Sequence, residues 1–275
     1  MSSLGPLGLI AGNGRFPFLV AASARRSGRR VVAVAIKEET AAELAAEVDE
    51  IHWVSLGQLG KAIAALKGAG ATEAVMAGQV KHRQIFSGVV PDFTLISILA
   101  KLAFKNTDSL IGAVADVLQK EGISLRPSTE LLADHMATAG AMTRRKPSGD
   151  EQRDVEYGRA VARHLAAMDL GQTVVVKGRA AVALEAMEGT DEVIRRAGRI
   201  AGKGTVVIKV AKPKQDMRFD VPVVGPGTLL AMREAGASVL AVEAGWTLLL
   251  DRPALLEEAE QDGLAVFGFV REAEA

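Results

Sequence analysis

The stretch that decides the fold is Leu7-Gly8-Leu9-Ile10-Ala11-Gly12-Asn13-Gly14-Arg15-Phe16-Pro17, near the start of the chain. Its first five residues are mostly apolar and predict a short buried strand. Gly12 and Gly14 then predict a turn whose backbone a ligand can approach, with Asn13 and Arg15 beside it. Pro17 suits the first turn of a helix, and helical spacing continues over residues 18–27. A strand, a glycine-rich turn and a helix in this order open many doubly wound α/β folds.

The turn lacks two features of a dinucleotide-binding site. Pro17 stands three residues after Gly14, where the G-x-G-x-x-G fingerprint requires glycine. The second predicted strand, Val31–Ile36, is followed by Lys37 and not by the acidic residue that binds a ribose. The sequence therefore does not support a nicotinamide-dependent oxidoreductase, and a turn without a ligand is an equal alternative.

Strands and helices continue to alternate up to about residue 130. This alternation predicts a parallel sheet with helices on its faces. Gly78 and Gln79, followed by Val80-Lys81-His82-Arg83, leave a strand at its carboxyl end, where the charged side chains of the segment face a ligand or solvent. The predicted strands are 51–54 and 74–77, residues 123–130 are predicted to form a last strand and a turn, and the predicted helical stretches are 43–48, 59–66 and 91–121.

A polar, basic segment broken by proline and glycine, residues 143–150, predicts a linker. It divides the chain into a first domain, 1–142, and a second α/β domain, 151–275. The second domain begins with a predicted helix at 154–167 and a hairpin of strands at 172–176 and 182–186.

Glu188-Gly189-Thr190-Asp191 opens the next predicted helix, 192–200. Gly189 and Thr190 at a helix start predict an anion cradle. Glu188 and Asp191 either bind a metal ion or cap the helix.

A charged loop, residues 209–228, lies between a predicted strand at 205–208 and a predicted helix at 229–235. Three prolines restrict its backbone, so its charges are held in place. In α/β proteins ligands bind where strands pass into helices. Lys209, Lys212 and Arg218 suit phosphate groups, and the carboxylates of the loop suit Mg²⁺ or a proton. The alternative is a solvated loop whose Lys and Asp side chains pair with each other.

Within the charged loop, Phe219 and Val221 alternate with Asp220, which predicts an extended segment with one buried face. We expect Asp220 first and Asp216 second to act in catalysis. Arg218 would share a face with Asp220 in an extended segment and pair with it, which is the structural alternative. Gly225 and Gly227 precede the next helix, with Thr228 as its expected N-cap, and leave amides near an anion.

Composition excludes several classes of protein. The 275 residues have a formal net charge of +0 and only 4% aromatic residues, which argues against a nucleic-acid surface. No cysteine is present, so disulfides and thiolate chemistry are excluded, and the four histidines lack the spacing of a zinc motif. We expect neither a signal peptide nor a membrane span, and therefore a cytoplasmic protein.

The motifs of both halves resemble the LpxI-type UDP-2,3-diacylglucosamine pyrophosphatases. The resemblance covers essentially the whole chain and is carried by residues 11–17, 77–80, 185–191, 212–222 and 241–245. It implies a Rossmann-like first domain, a separate second domain and a substrate held between them. It further implies a Mg²⁺-dependent hydrolase of lipid A synthesis that yields UMP and 2,3-diacylglucosamine 1-phosphate, cytoplasmic and in peripheral contact with the inner membrane.

The residues and the resemblance together define the predicted site. The predicted catalytic residues are Asp220, Asp216, Arg218 and Lys212, and the predicted metal ligands are Asp191, Asp216 and Asp220. The predicted substrate-binding residues are Gly12, Asn13, Gly14, Arg15, Gly78, Gln79, Glu188, Gly189, Thr190, Lys209, Gln215 and Thr228. The helical segment 93–104 can contribute an apolar groove for acyl chains or pack in the core. The alternative function is a non-catalytic nucleotide-sugar-binding protein.

Overall fold

The computed structural model describes residues 5–80, 90–100 and 107–271. The chain folds into two compact units. The first comprises residues 1–133 together with the short segment Asp216–Asp220, and the second comprises residues 134–215 and 221–275. The predicted α/β fold class is confirmed.

The first unit is built on a parallel five-stranded sheet in the order β3-β2-β1-β4-β5. β1 is therefore central, with β2 on one side and β4 on the other. The order 3-2-1-4-5 is that of doubly wound sheets, in which ligands bind where the order reverses, between β1 and β4. The strands are β1 (Leu7–Ala11), β2 (Val31–Ile36), β3 (Glu50–Val54), β4 (Glu73–Ala77) and β5 (Ser124–Arg126).

The helices of the first unit are α1 (Phe16–Arg26), α2 (Leu59–Gly68), α3 (Phe93–Leu99) and α4 (Thr107–Lys120). Asp92 caps α3, since its carboxylate accepts the Leu95 amide at 2.9 Å and the Gly60 amide at 2.6 Å. The predicted helix at 43–48 is a 3₁₀ helix, Ala42–Ala46, whose Leu44 is buried in the core.

The second unit has a mixed six-stranded sheet in the order β6-β13-β11-β9-β7-β8. β9, β11 and β13 run parallel, while β7 and β8 form the predicted antiparallel hairpin. The strands are β6 (Gly140–Ala141), β7 (Thr173–Lys177), β8 (Ala180–Leu184), β9 (Val206–Lys209), β11 (Val239–Glu243) and β13 (Ala265–Phe269). A separate parallel pair joins β10 (Val223–Val224) to β12 (Leu248–Leu249).

Helices cover both faces of this sheet. They are α5 (Gly149–Ala167), α6 (Thr190–Ala201), α7 (Pro226–Ala235) and α8 (Arg252–Gln261). Side chains of β9 alternate between the faces, as a strand requires. Ile208 packs in one apolar cluster with Val155 of α5, and Val207 packs in the other with Ile194 of α6 and Met232 of α7.

The structure differs from the sequence on the position of the domain break. The first unit ends at Ala133, and the expected linker 143–150 lies inside the second unit. The buried Thr143 hydroxyl accepts the Val266 amide at 2.9 Å, and Ser148 caps α5 in a capping box with Glu151. The polar character of the segment therefore reflects a helix start and a buried hydroxyl that bonds to β13.

Candidate functional site

The glycine turn after β1 is paired with the loop after β4. The Gly12 amide donates to the Ala77 carbonyl at 2.9 Å, and Asn13 and Gln79 exchange backbone hydrogen bonds of 2.8 and 3.2 Å. The sequence predicted that both loops would lie at one edge of the sheet. The structure brings Gly12, Asn13, Gly78 and Gln79 together there.

The three glycines of these loops serve different purposes. A methyl group on Gly12 would lie 2.8 Å from the Gln79 carbonyl oxygen, and one on Gly78 would lie 2.6 Å from the Asn13 oxygen. Gly12 and Gly78 are therefore required because the two loops touch. Gly14 has φ +89°, and a methyl group there would meet no described atom within 4 Å. The face of the turn that a ligand can approach is the one at Gly14, where the exposed Arg15 follows.

A buried carboxylate lies beside this turn, and the sequence argument missed it. Glu39 is 8% exposed and accepts a hydrogen bond from the Asn13 side-chain amide at 3.1 Å. Glu39 lies three positions after the last residue of β2, whereas the sequence pattern points to Lys37, which follows the strand directly. The pair Glu38-Glu39 was the available signal, but only the fold shows which of the two turns inward.

The second unit has a polar network at one end of its sheet, on the face covered by α6. Lys209 is 5% exposed and ends β9, opposite Thr173 of β7. Its ammonium donates to the Thr190 hydroxyl at 2.7 Å, and that hydroxyl donates to the Glu185 carboxylate at 2.9 Å. Thr190 is the first residue of α6, after Gly189 with φ +83°.

This network combines a buried cation with a helix N-terminus. Both features favour an anion, because the helix start presents unpaired amides and a partial positive charge. Glu185 balances part of that charge while also accepting the Gln172 amide at 3.0 Å. The prediction that Gly189 and Thr190 lie at a helix start is confirmed, and Lys209 lies beside them. Their binding of a substrate stays a prediction.

Asp191 and Thr228 join the starts of α6 and α7. The Thr228 hydroxyl donates to the Asp191 carboxylate at 2.9 Å, and a methyl group on Gly227 would lie 3.0 Å from that carboxylate. The expectation that Thr228 caps its helix is wrong. α7 begins at Pro226, the N-cap position is Gly225, and Thr228 lies inside the first turn.

Glu188 pairs with Arg196 of α6 at 2.5 Å and accepts the Ala186 amide at 3.0 Å. A hydrogen bond from its own backbone amide and the Arg196 guanidinium lower the pKa of Glu188. Through these contacts Glu188 stabilises the turn that leads into α6, which is a structural role.

The charged loop is anchored at its start by several contacts of the second unit. The Lys212 ammonium pairs with Asp169 at 2.8 Å, and the Gln215 side chain accepts the Lys212 amide at 2.6 Å. The carboxylate of Glu243, 1% exposed at the end of β11, accepts the Ala211 amide at 2.8 Å. Gln215 therefore fixes the backbone at the start of the loop, and the Lys212 side chain attaches the loop to Asp169.

Arg271 also holds this loop start. Its guanidinium donates to the carbonyls of Lys212 and Pro213 at 3.2 and 3.1 Å and stacks on the Trp246 ring at 4.4 Å. Sequence reasoning gave Arg271 no role, because a lone arginine near the chain end carries no motif.

The tip of the charged loop, Asp216–Asp220, belongs to the first unit. Its backbone forms a turn and is not extended. The Phe219 and Asp220 amides both donate to the Asp216 carbonyl, at 3.2 and 2.9 Å, which closes a turn. Phe219 packs against the apolar cluster of the first unit. The expected burial of Phe219 is thus observed in part, but it comes from a turn and not from strand alternation.

This turn changes the pairing of Arg218. The Arg218 guanidinium donates to both oxygens of Asp216, at 2.9 and 2.6 Å, and not to Asp220 as an extended segment would require. Because the guanidinium hydrogen-bonds the charged form, it lowers the pKa of Asp216 below its ordinary value. Asp216 is therefore ionised, and both of its carboxylate oxygens accept hydrogen bonds from Arg218.

The fit of a metal ion depends on how the described carboxylates are arranged. Among the described residues, no group of three or more His, Asp or Glu side chains is arranged to hold a metal ion. Asp191 belongs to the second unit and accepts the Thr228 hydroxyl, whereas Asp216 and Asp220 count with the first. The predicted ligand set does not form one cluster within either unit, so no chemical step is assigned to a metal.

Two further expectations concern residues that lie wholly or partly outside the described part of the chain. Lys81, His82 and Arg83 lie outside them, as does the part of the acyl-groove segment after residue 100. Within the part of the chain that the structure describes, no helix combines the length and apolar character needed to cross a membrane.

The fold and these sites define a class: a two-unit α/β protein with a glycine turn at a strand-order reversal and a lysine at a helix N-terminus. The LpxI N-terminal domain matches residues 6–135, and the LpxI C-terminal domain matches residues 138–267. The UDP-2,3-diacylglucosamine pyrophosphatase LpxI of Caulobacter vibrioides is 31% identical over 273 residues, which is 95% of this chain and 96% of that protein. The chain belongs to the LpxI family.

The chain also shows distant likenesses to solved structures. The biotin carboxylase domain of a thermophilic 2-oxoglutarate carboxylase is 14% identical over 72% of this chain and 33% of that chain, with a TM-score of 0.28. The ADP complex of purK, an N5-carboxyaminoimidazole ribonucleotide synthetase, is 15% identical over 70% of this chain and 45% of that chain, also with a TM-score of 0.28.

Proposed function

We propose that this chain is a UDP-2,3-diacylglucosamine pyrophosphatase of lipid A synthesis. The observation that carries the proposal is the match to the Caulobacter relative along 95% of the chain, with LpxI domains covering both units. Water attacks one phosphorus of the diphosphate, the bridging P–O bond breaks, and UMP and 2,3-diacylglucosamine 1-phosphate are released. Such a reaction needs groups that bind the phosphate charges and a base or carboxylate that positions the water.

Lys209 is the cation that best fits the phosphate role in the second unit. It is buried, ends a strand, and donates a hydrogen bond to the Thr190 hydroxyl at the start of α6. Lys212 is less suited because its side chain is more exposed than that of Lys209. A buried ammonium interacts more strongly with a phosphate than an exposed one, since less water screens the pair.

Asp220 remains the first choice for the catalytic carboxylate and Asp216 the second. Asp216 is held by the Arg218 guanidinium through two hydrogen bonds, which weakens it as a base and satisfies its charge. Asp220 ends the same turn, and its amide bonds to the Asp216 carbonyl, so the backbone that carries its carboxylate is fixed. A fixed carboxylate can hold a water in line with a phosphorus atom.

The test is turnover of UDP-2,3-diacylglucosamine by Asp220→Ala and Asp216→Ala, with UMP as the measured product. We expect Asp220→Ala to lower kcat by about 100-fold or more with substrate binding retained, and Asp216→Ala to have the smaller effect. Asp150→Ala is the matched control, because Asp150 is an exposed carboxylate at the start of α5. Normal turnover in Asp220→Ala would reject the assignment, and binding without hydrolysis by the native protein would favour a nucleotide-sugar-binding role.

We further propose that hydrolysis requires Mg²⁺, as the family resemblance implies. When bound, the ion would neutralise diphosphate charge. The support is the charge of the diphosphate, which divalent cations commonly neutralise. Product formation before and after EDTA treatment, with Mg²⁺ restored afterwards, tests this requirement. Unchanged turnover in EDTA would contradict it.

We also propose peripheral contact with a membrane surface through α3 and Val90, which lies three positions before it. Phe93 is 91% exposed, Val90 is 81% exposed and Ile96 is 47% exposed, while Ile98 packs inward. This argues against core packing for the described part of segment 93–104. Flotation with phosphatidylethanolamine–phosphatidylglycerol vesicles should recover native protein but less of the Phe93→Ser/Ile96→Ser variant. Met187→Ser, at a residue 74% exposed in the second unit, is the control, and equal recovery of all three would contradict the proposal.

A further inference from the structure

The carboxylate of Glu39 lies where a nucleotide sugar is expected in a doubly wound sheet. It follows β2, which neighbours the central strand β1 on the side opposite β4. In such sheets the ligand lies outside the carboxyl ends of the strands at the reversal of strand order. In dinucleotide-binding sheets of this order, an acidic residue after the second strand accepts a hydrogen bond from a ribose hydroxyl.

The loop that carries Glu39 is fixed against the end of β1. The Thr40 hydroxyl donates to the Ala11 carbonyl at 2.6 Å and accepts the Ile36 amide at 3.0 Å. Glu39 itself is 8% exposed and accepts the Asn13 side-chain amide at 3.1 Å. The carboxylate therefore does not extend into solvent like its neighbour Glu38, which is exposed and accepts the Leu56 amide.

The adjoining turn is closed on one side and open on the other. Asn13 and Gln79 pair through their backbones, so the β4 loop occupies the side of Gly12. At Gly14, a methyl group would meet no described atom within 4 Å, and the residue is exposed. A ligand that approaches Gly14 therefore arrives next to Asn13, whose side chain already contacts Glu39.

We propose that Asn13 and Glu39 recognise the vicinal ribose hydroxyls of the nucleotide part of the substrate. The inference rests on the proposed function, because it supplies the uridine ribose as the ligand. Two vicinal hydroxyls can both donate to one carboxylate, and the Asn13 amide supplies a donor and an acceptor beside it. A merely structural Asn13–Glu39 contact would stabilise the turn without distinguishing ribose from deoxyribose.

The experiment compares inhibition by UMP and by 2′-deoxy-UMP in native protein, Glu39→Gln and the control Glu38→Gln. We expect native protein and Glu38→Gln to bind UMP at least about tenfold more tightly than the deoxy nucleotide, since a charged hydrogen bond is lost. Glu39→Gln should bind both nucleotides equally, at the level of 2′-deoxy-UMP.

The ratio of the two affinities separates recognition from folding. The inference is overturned if Glu39→Gln weakens the binding of both nucleotides by the same factor. It is also overturned if native protein binds UMP and 2′-deoxy-UMP equally well. Turnover of UDP-2,3-diacylglucosamine on the same preparations distinguishes the two failures. Normal hydrolysis with an unchanged ratio rejects only the ribose contact, whereas native protein without hydrolysis rejects the proposed function and the inference with it.

Discussion

Alanine substitutions of Gly12, Gly14 and Gly78 separate two reasons for which a glycine is required. Gly14 needs its positive φ but has space, whereas Gly12 faces the Gln79 carbonyl at 2.8 Å. Gly78 has both constraints, with φ +93° and the Asn13 oxygen 2.6 Å from an added methyl group. The three variants should therefore differ in the free energy of unfolding of the first unit.

The magnitudes follow from the contacts. A left-handed backbone costs a residue with a Cβ about 1–2 kcal/mol, which is the whole expected effect of Gly14→Ala. Separating the two loops loses the pair of Asn13–Gln79 backbone hydrogen bonds, at about 1 kcal/mol each, so Gly12→Ala should cost about 2 kcal/mol. Gly78→Ala combines both effects and should cost about 3–4 kcal/mol.

The assay uses the tryptophans, of which the chain has two. Trp53 lies in β3 of the first unit and Trp246 in the second, so in a Trp246→Phe background fluorescence reports the first unit alone. Urea titrations of the three variants then give the unfolding free energies directly. Equal destabilisation by Gly14→Ala and Gly78→Ala would refute the reasoning, because it would mean that the loop contact contributes nothing.

Three further predictions concern pairing, packing and the charged loop. Because the folded pKa of Asp216 is lowered, its pair with Arg218 stabilises above the unfolded pKa of about 3.9 and loses that contribution as pH falls through the folded value. Arg218→Gln should cost under about 1 kcal/mol at neutral pH, as both side chains are partly exposed, and progressively less in a denaturation series in which the pH is lowered through the folded pKa of Asp216. Gly158→Ala should destabilise the second unit by about 1–3 kcal/mol in urea titrations, since its methyl group would lie 2.4 Å from Ile208 Cδ1. Arg271→Ala should speed proteolysis of the charged loop and Arg271→Lys less so, with cleavage sites read by mass spectrometry; equal rates would contradict the anchoring role.

Local patterns were sufficient for the elements of the fold. The β1 strand, its glycine turn and α1 follow from apolar spacing and from Gly and Pro positions. The β7–β8 hairpin and the start of α6 at Thr190 follow in the same way. These features depend on residues within one or two turns of each other, so the sequence carries them directly.

The same local reasoning failed where contacts between residues distant in sequence determine the local conformation. It read residues 143–150 as a linker, although Thr143 bonds to Val266 more than a hundred residues away. It expected the tip of the charged loop to be extended, and a turn closed on the Asp216 carbonyl gives Arg218 a different partner. The packing of Phe219 in the first unit is a tertiary contact that alternation cannot reveal.

By itself, the sequence determined the α/β class, the family resemblance and the residue types of the site, because these reside in local periodicity and short motifs. Only the tertiary structure decided which of those residues meet. Glu39 lies beside Asn13 because β2 neighbours β1, and Lys209 meets Thr190 because β9 ends where α6 begins. Strand order and loop closure set such distances, and they arise from the packing of the whole unit rather than from the spacing of neighbouring residues.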